Sequence, residues 1–435
     1  MTILRQALHA AMLAVLVLCG SALRADPAAE VIRTWYRLAL ELVRHTPTYS
    51  PPVASRSFAY LGVTAYEVVA SGVPDRPSLA GQLNGLTALT ARDAHARYDE
   101  AAVMQVALAT VVRSLFANTG PSGQRAMAAM TARLDARVAE SRDPAVLAAS
   151  RAYGATLAAD ILAWAVTDGG AVIDNMGFAH VYVPGTAPGA WQPTSLIVQQ
   201  QAPLLPAWGQ NRPFAMPLGS ACPVPPPPDY SEDPASAFYA QAAEVHATTT
   251  ALTDDQMRVA RFWADDPMLS PTPPGHWVAI ALAQLAGENA DAGRSATVLA
   301  RLGIAVADGF IGCWHEKYRY DLLRPVTYIR RLIDPTWVPL LITPPFPEYP
   351  SGHSTQSGAA AEVLSAAFGA RPFTDTTHVD DGMPGRDFTD FRAAASEAAM
   401  SRLYGGIHFR AAIEQGLLQG RCIAAHALRL RMGDN

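Results

Sequence analysis

The sequence predicts an all-α protein, a helical bundle crossed by long proline-rich loops. Of its 435 residues, 50% are hydrophobic and 16% are charged, which provides enough apolar material for a large core. Apolar side chains recur every three or four positions along most of the chain, as on the buried face of a helix. Alternating strand patterns are scarce, and the best short candidate is FAHVYVPG at 178–185. The many Ala and Leu residues also favour helices.

Residues 1–25 are expected to form a secretory signal peptide. They contain an early Arg5, an apolar run over 11–18 and small residues up to Ala25, where cleavage is predicted. The alternative is an uncleaved anchor. No later segment has about 18 uncharged apolar residues without prolines, so no further membrane span is expected. The sequence therefore predicts a periplasmic or secreted protein.

Charge and cysteine content narrow the possible partners. A net charge of −5 argues against a nucleic acid or a polybasic contact with a membrane surface. After cleavage Cys222, Cys313 and Cys422 remain, and their spacing is not that of a metal site. Three cysteines cannot all pair, so at most one disulfide is expected, with buried free thiols as the default.

Helical periodicity divides the chain into two regions joined by a loop. It predicts helices at 28–45, 57–69, 99–116, 144–166, 254–264, 275–288, 296–324 and 413–432. Residues 185–233 are dense in proline and aromatic residues, and we interpret them as an ordered crossing loop and not as an idle linker. The predicted regions are an N-terminal helical region at 26–184 and a C-terminal bundle at 234–435.

The first of three polar clusters is WHEKYRYDLLRP, which carries Lys317 and Arg324. Seven residues are two helical turns, so on a continuous helix both cations would share one face. The alternative is a solvated basic stripe. Proline directly after Arg324 indicates a helix boundary there.

The second cluster is PPFPEYPSGHSTQSG, in which prolines hold the approach to Ser351 extended. The Ala-rich run that follows favours a helix beginning between 351 and 354. The free N–H groups and positive dipole at such a helix start predict an anion site. The alternative is that Ser351 simply caps its own helix.

The third cluster is SRLYGGIHFR, where Arg402 and His408 flank two glycines that would let the backbone approach a ligand. Taken together, Lys-x6-Arg-Pro, Pro-Ser-Gly-His and Ser-Arg-x5-His resemble the three-part signature of the type 2 phosphatidic acid phosphatase and vanadium-dependent haloperoxidase superfamily. The resemblance covers 314–408 by motif. RFWADD…TPPGHW at 261–277 and the crossing loop are similar to the bacterial secreted haloperoxidase branch, whereas the first 150 residues carry no such motif.

The resemblance implies a bundle of the acid phosphatase and vanadium haloperoxidase type that holds vanadate. The anion-binding residues would be Lys317, Arg324, Ser351, Gly352 and Arg402. Guanidiniums bind a tetrahedral oxyanion in forks, and an ammonium acts as a point charge. His408 would be the metal ligand and His353 the acid–base group, while Lys317 would polarise hydrogen peroxide.

The implied activity is oxidation of halide by hydrogen peroxide to a hypohalous acid equivalent, delivered to a small organic acceptor. One alternative is a periplasmic acid phosphatase that hydrolyses phosphate monoesters through a phosphohistidine at His408. Another is an oxyanion-binding protein without catalysis. Trp314 and Phe346 match the aromatic walls of the presumed halide side in the chloroperoxidase-type pattern, although core packing explains such residues equally well.

Two acidic residues of the family pattern lack a clear match in this sequence. Asp266, more than its neighbour Asp265, resembles the acid that pairs with the third-motif arginine. Ala412 stands where the family usually has an aspartate that orients His408, and Glu414 lies on another part of the helix. A nucleophilic histidine needs such a carboxylate more than a metal ligand does, so this departure favours the haloperoxidase and leaves the non-catalytic alternative open. The remaining mature-chain histidines are interpreted as structural or surface residues: His45, His95, His180, His246, His276, His315, His378 and His426.

Overall fold

The computed structural model describes residues 26–171, 182–195 and 202–433, and the predicted signal peptide lies outside them. This part of the chain contains thirteen α-helices and one small antiparallel sheet. The helices are α1 (Pro27–Arg44), α2 (Pro51–Gly72), α3 (Glu100–Leu115), α4 (Pro121–Ala139), α5 (Pro144–Ala165), α6 (Ala237–Thr250), α7 (Asp254–Phe262), α8 (Thr272–Gly287), α9 (Ala292–Tyr320), α10 (Pro325–Leu332), α11 (Gly352–Phe368), α12 (Phe391–Tyr404) and α13 (Arg410–Leu428). The all-α prediction is confirmed.

Every helix predicted from periodicity is present, and four further helices were not predicted: α4, α6, α10 and α12. The two strands, β1 (Phe373–Asp375) and β2 (Arg386–Phe388), were also missed. The predicted strand at 178–185 lies partly outside the described residues, and its part at 182–185 is not a strand. Three-residue strands are too short to show an alternating pattern.

Local chemistry explains where most helices begin. Eight helices start after an Asp, Ser or Thr whose side chain accepts a hydrogen bond from a backbone N–H of the first turn. Such caps satisfy donors that the helix itself leaves free. One of them is Ser351, whose hydroxyl accepts from the N–H of Ser354 at the start of α11. The predicted start of this helix is confirmed.

Helix α9 is the central element of the core. It has 29 residues, and it packs closely on α2 through glycines. A Cβ on Gly62 would lie 2.6 Å from the Ala300 Cα, and one on Gly303 would lie 2.8 Å from the Ala59 Cα. Helices from both predicted regions therefore share one core. Of the described helices, α9 is the one long and apolar enough to cross a membrane, and 94% of its apolar window is buried inside the protein.

The crossing loop is tied to the bundle at two points. Its N–H groups at Phe214, Ala215 and Met216 donate to the buried carboxylate of Asp308 on α9, at 2.6–2.9 Å. A disulfide joins Cys222 to Cys422 on α13. The expectation of at most one disulfide is confirmed, whereas free thiols were wrongly expected at these two positions. The pairing spans 200 residues, so only the folded loop brings the two Cα atoms to 5.9 Å.

Candidate active site

The three polar motifs meet where helices begin and end. Helix α9 ends at Tyr320, Asp321 takes a left-handed conformation with φ 47°, and Arg324 is the extended residue before α10. Lys317 and Arg324 therefore do not lie on one face of a continuous helix, and that prediction was wrong. The proline at the start of α10 holds Arg324 extended, as the sequence boundary indicated.

Lys317 is fully buried and holds the loop that leads into α11. Its ammonium donates to the carbonyls of Pro347 and Glu348 at 2.9 Å each and of Pro350 at 2.5 Å. Three bonds use all three donors of an ammonium group. Burial lowers the pKa of Lys317 to about 7. An anion or peroxide could gain a bond from Lys317 only by replacing one of these carbonyls, so its direct role stays a prediction.

Arg324 connects two of the motifs. Its guanidinium donates to the carbonyls of Phe346 and Ile407 at 2.9 Å, and its Nη1 lies 3.1 Å from His408 Nε2. Its Nη2 is buried and has no hydrogen-bond partner among the described residues. Burial lowers the pKa of Arg324 to about 10, so the side chain stays a cation at neutral pH.

The start of α11 contributes Gly352 and His353 to a cavity. A Cβ on Gly352 would lie 3.5 Å from the Trp314 ring, an ordinary contact, so protein packing alone does not require glycine here. His353 Nε2 is buried without a hydrogen-bond partner in the described part of the chain. Burial, helped by the nearby Arg402 cation, holds the pKa of His353 well below its usual range, so the ring is neutral at neutral pH.

Arg402 lies in the last turn of α12 and is also buried. It donates to the Trp263 carbonyl and to the Ser401 hydroxyl. Asp265 and Asp266 both interact with it electrostatically, without a direct ion pair in the described structure. Asp266 lines the cavity and is partly buried, so its proposed pairing with Arg402 stays a prediction.

His408 has a carboxylate partner that sequence reasoning missed. Its Nδ1 lies 2.8 Å from Oε1 of the fully buried Glu348. Burial, and then the Arg324 cation, hold the pKa of His408 well below its usual range, whereas burial raises the pKa of Glu348 to about 7. One sequence signal could have revealed it, because Glu348 is the only charged residue between 335 and 352.

The two glycines of the third motif are required by the turn in which they lie. Gly406 has φ 75°, in the left-handed region, and a Cβ there would meet Pro339 and Trp337. A Cβ on Gly405 would lie 2.7 Å from the Leu341 side chain. Neither residue lines the cavity. Their packing against the loop at 337–341 accounts for both glycines, and a role in bringing backbone close to a ligand stays a prediction.

Trp314 and Phe346 form one wall of the cavity, with ring centroids 4.9 Å apart. The cavity has a volume of about 420 Å³. Its inner end carries His353, Arg402 and His408, and the remaining wall is largely apolar. This volume lies within the range of small-molecule sites.

A second cluster of buried polar groups lies beside the cavity. His276 contacts Asp265 through Nδ1 at 3.0 Å and Asp375 through Nε2 at 2.7 Å. His378 in turn contacts Asp265 at 3.2 Å and Asp381 at 3.1 Å. These acidic partners were not predicted, and the interpretation of both histidines as structural residues agrees with this network.

The chemistry of the inner end suits a tetrahedral oxyanion. Arg324 and Arg402 are buried cations, and Arg324 Nη2 and His353 Nε2 are buried polar atoms without partners in the described structure. The start of α11 adds its N–H groups and dipole. Arg324 and Arg402 form no direct ion pair with a carboxylate in the described structure, although Glu348 interacts electrostatically with Arg324, and Asp265 and Asp266 with Arg402. Such a set fits vanadate or phosphate. The fold and the site thus define a helical-bundle protein with a buried oxyanion site.

Comparisons with known proteins identify the family. The crystal structure of a bacterial vanadium-dependent iodoperoxidase matches with a TM-score of 0.86 and 37% identity, over 95% of this chain and 99% of that one. A family model for the VCPO second helical-bundle domain matches residues 297–432. The chain belongs to the vanadium-dependent haloperoxidase family, and membership of this family implies a vanadate cofactor.

More distant relatives agree with this assignment. A holo-type bacterial vanadium-dependent chloroperoxidase has the same fold, with a TM-score of 0.67 and 17% identity, over 89% of this chain and 94% of that one. The vanadium-dependent bromoperoxidase of Ascophyllum nodosum is 37% identical over 101 residues, or 20% of this chain and 18% of that protein. The vanadium chloroperoxidase of Curvularia inaequalis is 26% identical over 175 residues, or 28% of each protein. These sequence matches span less than a third of either relative.

Proposed function

We propose that this protein is a vanadate-dependent haloperoxidase that oxidises halide with hydrogen peroxide to a hypohalous acid equivalent. The observation that carries the proposal is the buried, cation-rich site around His408, in a chain that shares 37% identity with a vanadium-dependent iodoperoxidase over nearly its whole length. Vanadate bound there would act as a Lewis acid that activates hydrogen peroxide toward halide.

Each residue of the site has a defined task in this proposal. His408 presents Nε2 as the metal ligand, and Arg324 and Arg402 hold the oxyanion by charge-assisted hydrogen bonds. Ser351 and Gly352 complete the anion cradle at the start of α11. His353, neutral and with Nε2 unpartnered in the described structure, takes up the proton that peroxide gives up.

The acceptor is proposed to be a neutral, apolar organic molecule. The cavity in front of the site has room for more than peroxide and halide, and its outer wall includes the exposed side chains of Leu269 and Ile342. Its charged lining residues are Asp265, Asp266 and Arg402, and most of the other lining residues are apolar. We expect the halogenation rate to saturate with a neutral phenol, and Ile342→Asp to weaken that saturation. A rate strictly proportional to phenol concentration would exclude a bound acceptor.

An acid phosphatase acting through the same residues is the second candidate. The contact between Glu348 and His408 favours it, because a carboxylate raises the basicity of a nucleophilic histidine. The absence of an acid at position 412 therefore does not argue against hydrolysis as strongly as the sequence alone indicated. A periplasmic or secreted location is also proposed, supported by the signal peptide predicted for residues 1–25 and by the Cys222–Cys422 disulfide.

The decisive assay is halogenation of a phenolic dye by the purified chain from Asp26, with hydrogen peroxide and bromide or iodide. Dye halogenation that depends on added orthovanadate supports the proposal. We expect His408→Ala to abolish it, because the metal would lose its protein ligand. Halogenation that persists without vanadate, or in His408→Ala, would overturn the assignment of the site.

A further inference from the structure

The position of the carboxylate beside His408 differs from the usual family pattern. Four residues after His408 the chain has Ala412, which is fully buried and whose carbonyl accepts the Ser351 N–H at 3.0 Å. The carboxylate comes instead from Glu348, 60 residues earlier, in the loop that precedes α11. His408 therefore receives its carboxylate from a residue that precedes it in the chain and not from one that follows it.

We propose that Glu348 is the positioning residue for His408, in place of the aspartate that the family usually carries at position 412. It holds the ring as the Nδ1–H tautomer, so that the Nε2 lone pair points into the anion site. This inference rests on the proposed function, since it concerns the residue that would bind the metal.

The hydrogen bonds around His408 define the tautomer. Glu348 Oε1 accepts the N–H of Phe409 at 2.8 Å, so this oxygen is an acceptor, and it lies 2.8 Å from His408 Nδ1. On the other side of the ring, Arg324 Nη1 lies 3.1 Å from Nε2. A guanidinium can only donate, so Nε2 must be the acceptor. Both neighbours therefore require the proton on Nδ1 and leave a lone pair on Nε2.

Glu348 is itself rigidly held. Its N–H donates to the Leu322 carbonyl at 2.9 Å, and its own carbonyl accepts from Lys317 at 2.9 Å. The residue is fully buried, so its side chain has little freedom. Through its backbone it fixes Lys317, and through its carboxylate it fixes His408, which sets the relation between these two predicted site residues.

The small residue at 412 fits this arrangement. A second carboxylate at that position would place two like charges near one imidazole in a buried site, which is unfavourable. A small residue at 412 is thus expected beside Glu348. Moving the carboxylate, with alanine at 348 and aspartate at 412, should preserve the orientation of His408. A variant with neither carboxylate should no longer hold the His408 ring in one tautomer.

The test combines three variants with two measurements. The variants are Glu348→Gln, Glu348→Ala and the double variant Glu348→Ala/Ala412→Asp, with Glu362→Ala, a surface partner of Arg392, as the matched control. Nitrogen-15 NMR of the imidazole reports the His408 tautomer in protein without vanadate. Calorimetry reports the dissociation constant for orthovanadate.

We expect the Nδ1–H tautomer in the wild type and in Glu348→Gln, whose amide oxygen can still accept. Glu348→Ala should give mixed tautomers and at least tenfold weaker vanadate binding, and the double variant should recover both properties. An Nε2–H tautomer in the wild type would overturn the proposal. So would unchanged tautomer and affinity in a folded Glu348→Ala protein.

The tautomer is measured without vanadate and without turnover, so the two proposals fail separately. A wild type that shows the Nδ1–H tautomer and binds vanadate but oxidises no halide would contradict the proposed haloperoxidase and leave the role of Glu348 supported. If Glu348→Ala does not fold, the near-isosteric Glu348→Gln still decides. Loss of the Nδ1–H tautomer in that variant would show that an acceptor at 348 does not control the ring.

Discussion

At the scale of single residues, the site holds buried basic side chains that form no direct ion pair with a carboxylate in the described structure. Lys317, Arg324 and Arg402 are all buried, and Glu348 is the one carboxylate in direct contact with His408 among the described residues. Burial lowers the pKa of each of the three cations. Charged groups without full compensation destabilise a folded protein, and a bound oxyanion would remove that cost.

The first prediction follows from the lack of direct ion pairs at these basic residues. Phosphate or orthovanadate should raise the melting temperature by a few degrees, since ligand at 100 times its dissociation constant adds about 2.7 kcal/mol. Arg402→Ala should remove most of this shift, because the variant loses a charge-assisted fork. Thermal unfolding with increasing anion concentration measures it.

Arg410→Ala is the matched control, since Arg410 pairs with Glu244 and is partly exposed. It should retain the full anion-dependent shift. Equal shifts in the wild type and in Arg402→Ala would mean that the anion binds elsewhere.

At the scale of elements, the buried network of two histidines joins three segments of the chain. His276 on α8 connects Asp265, in the loop after α7, to Asp375 on β1. Asp265 is held at φ 50°, a left-handed conformation that costs energy for a residue other than glycine. The same loop begins with Trp263, whose carbonyl accepts from Arg402. The network therefore stabilises the loop that positions a site residue.

The second prediction concerns the pH dependence of stability. Burial alone would lower the pKa of His276, but Asp265 and Asp375 raise it to about 10. Because the pKa of His276 is higher in the folded state, its protonation stabilises the fold fully below the unfolded-state pKa of about 6.5. This contribution is lost as the pH rises from there to about 10. The expected loss from this group is up to about 1.4 kcal/mol per pH unit.

Chemical denaturation between pH 6 and pH 10 tests it. His276→Asn should be less stable at pH 6 and should show a flatter decline, while His95→Gln, at an exposed position, should follow the wild type. A wild-type curve without a decline over this range would contradict the charged state assigned to His276.

The third prediction concerns the contact between α2 and α9. Gly303→Ala should destabilise by about 1–3 kcal/mol, because its Cβ would meet the Ala59 backbone and neither backbone can move easily. Gly287→Ala is the control, since nothing lies within 4 Å of a Cβ there. Alanine favours helix by up to about 1 kcal/mol, so this variant should be neutral or slightly stabilised. Equal unfolding free energies for the two variants would contradict the close contact.

At the scale of the whole molecule, local patterns predicted most of the helices and the three motifs, but they could not predict the long-range pairings. The periodicity of α9 and the cap at Ser351 are short-range properties, so the sequence predicted both. The pairing of Glu348 with His408 and of Cys222 with Cys422 joins residues 60 and 200 positions apart. No local pattern contains such pairs, and they depend on how the loops fold over the bundle. The shared face of Lys317 and Arg324 failed because a left-handed residue ends α9 between them.

The central claim is tested most directly by a vanadate titration of one preparation with two assays. Halide oxidation with hydrogen peroxide and hydrolysis of p-nitrophenyl phosphate are measured at each vanadate concentration. The account predicts that halide oxidation rises from zero with vanadate, that any ester hydrolysis falls with the same dissociation constant, and that both disappear in His408→Ala. Ester hydrolysis that vanadate inhibits, with no halide oxidation at any concentration, would contradict it and make the protein a phosphatase.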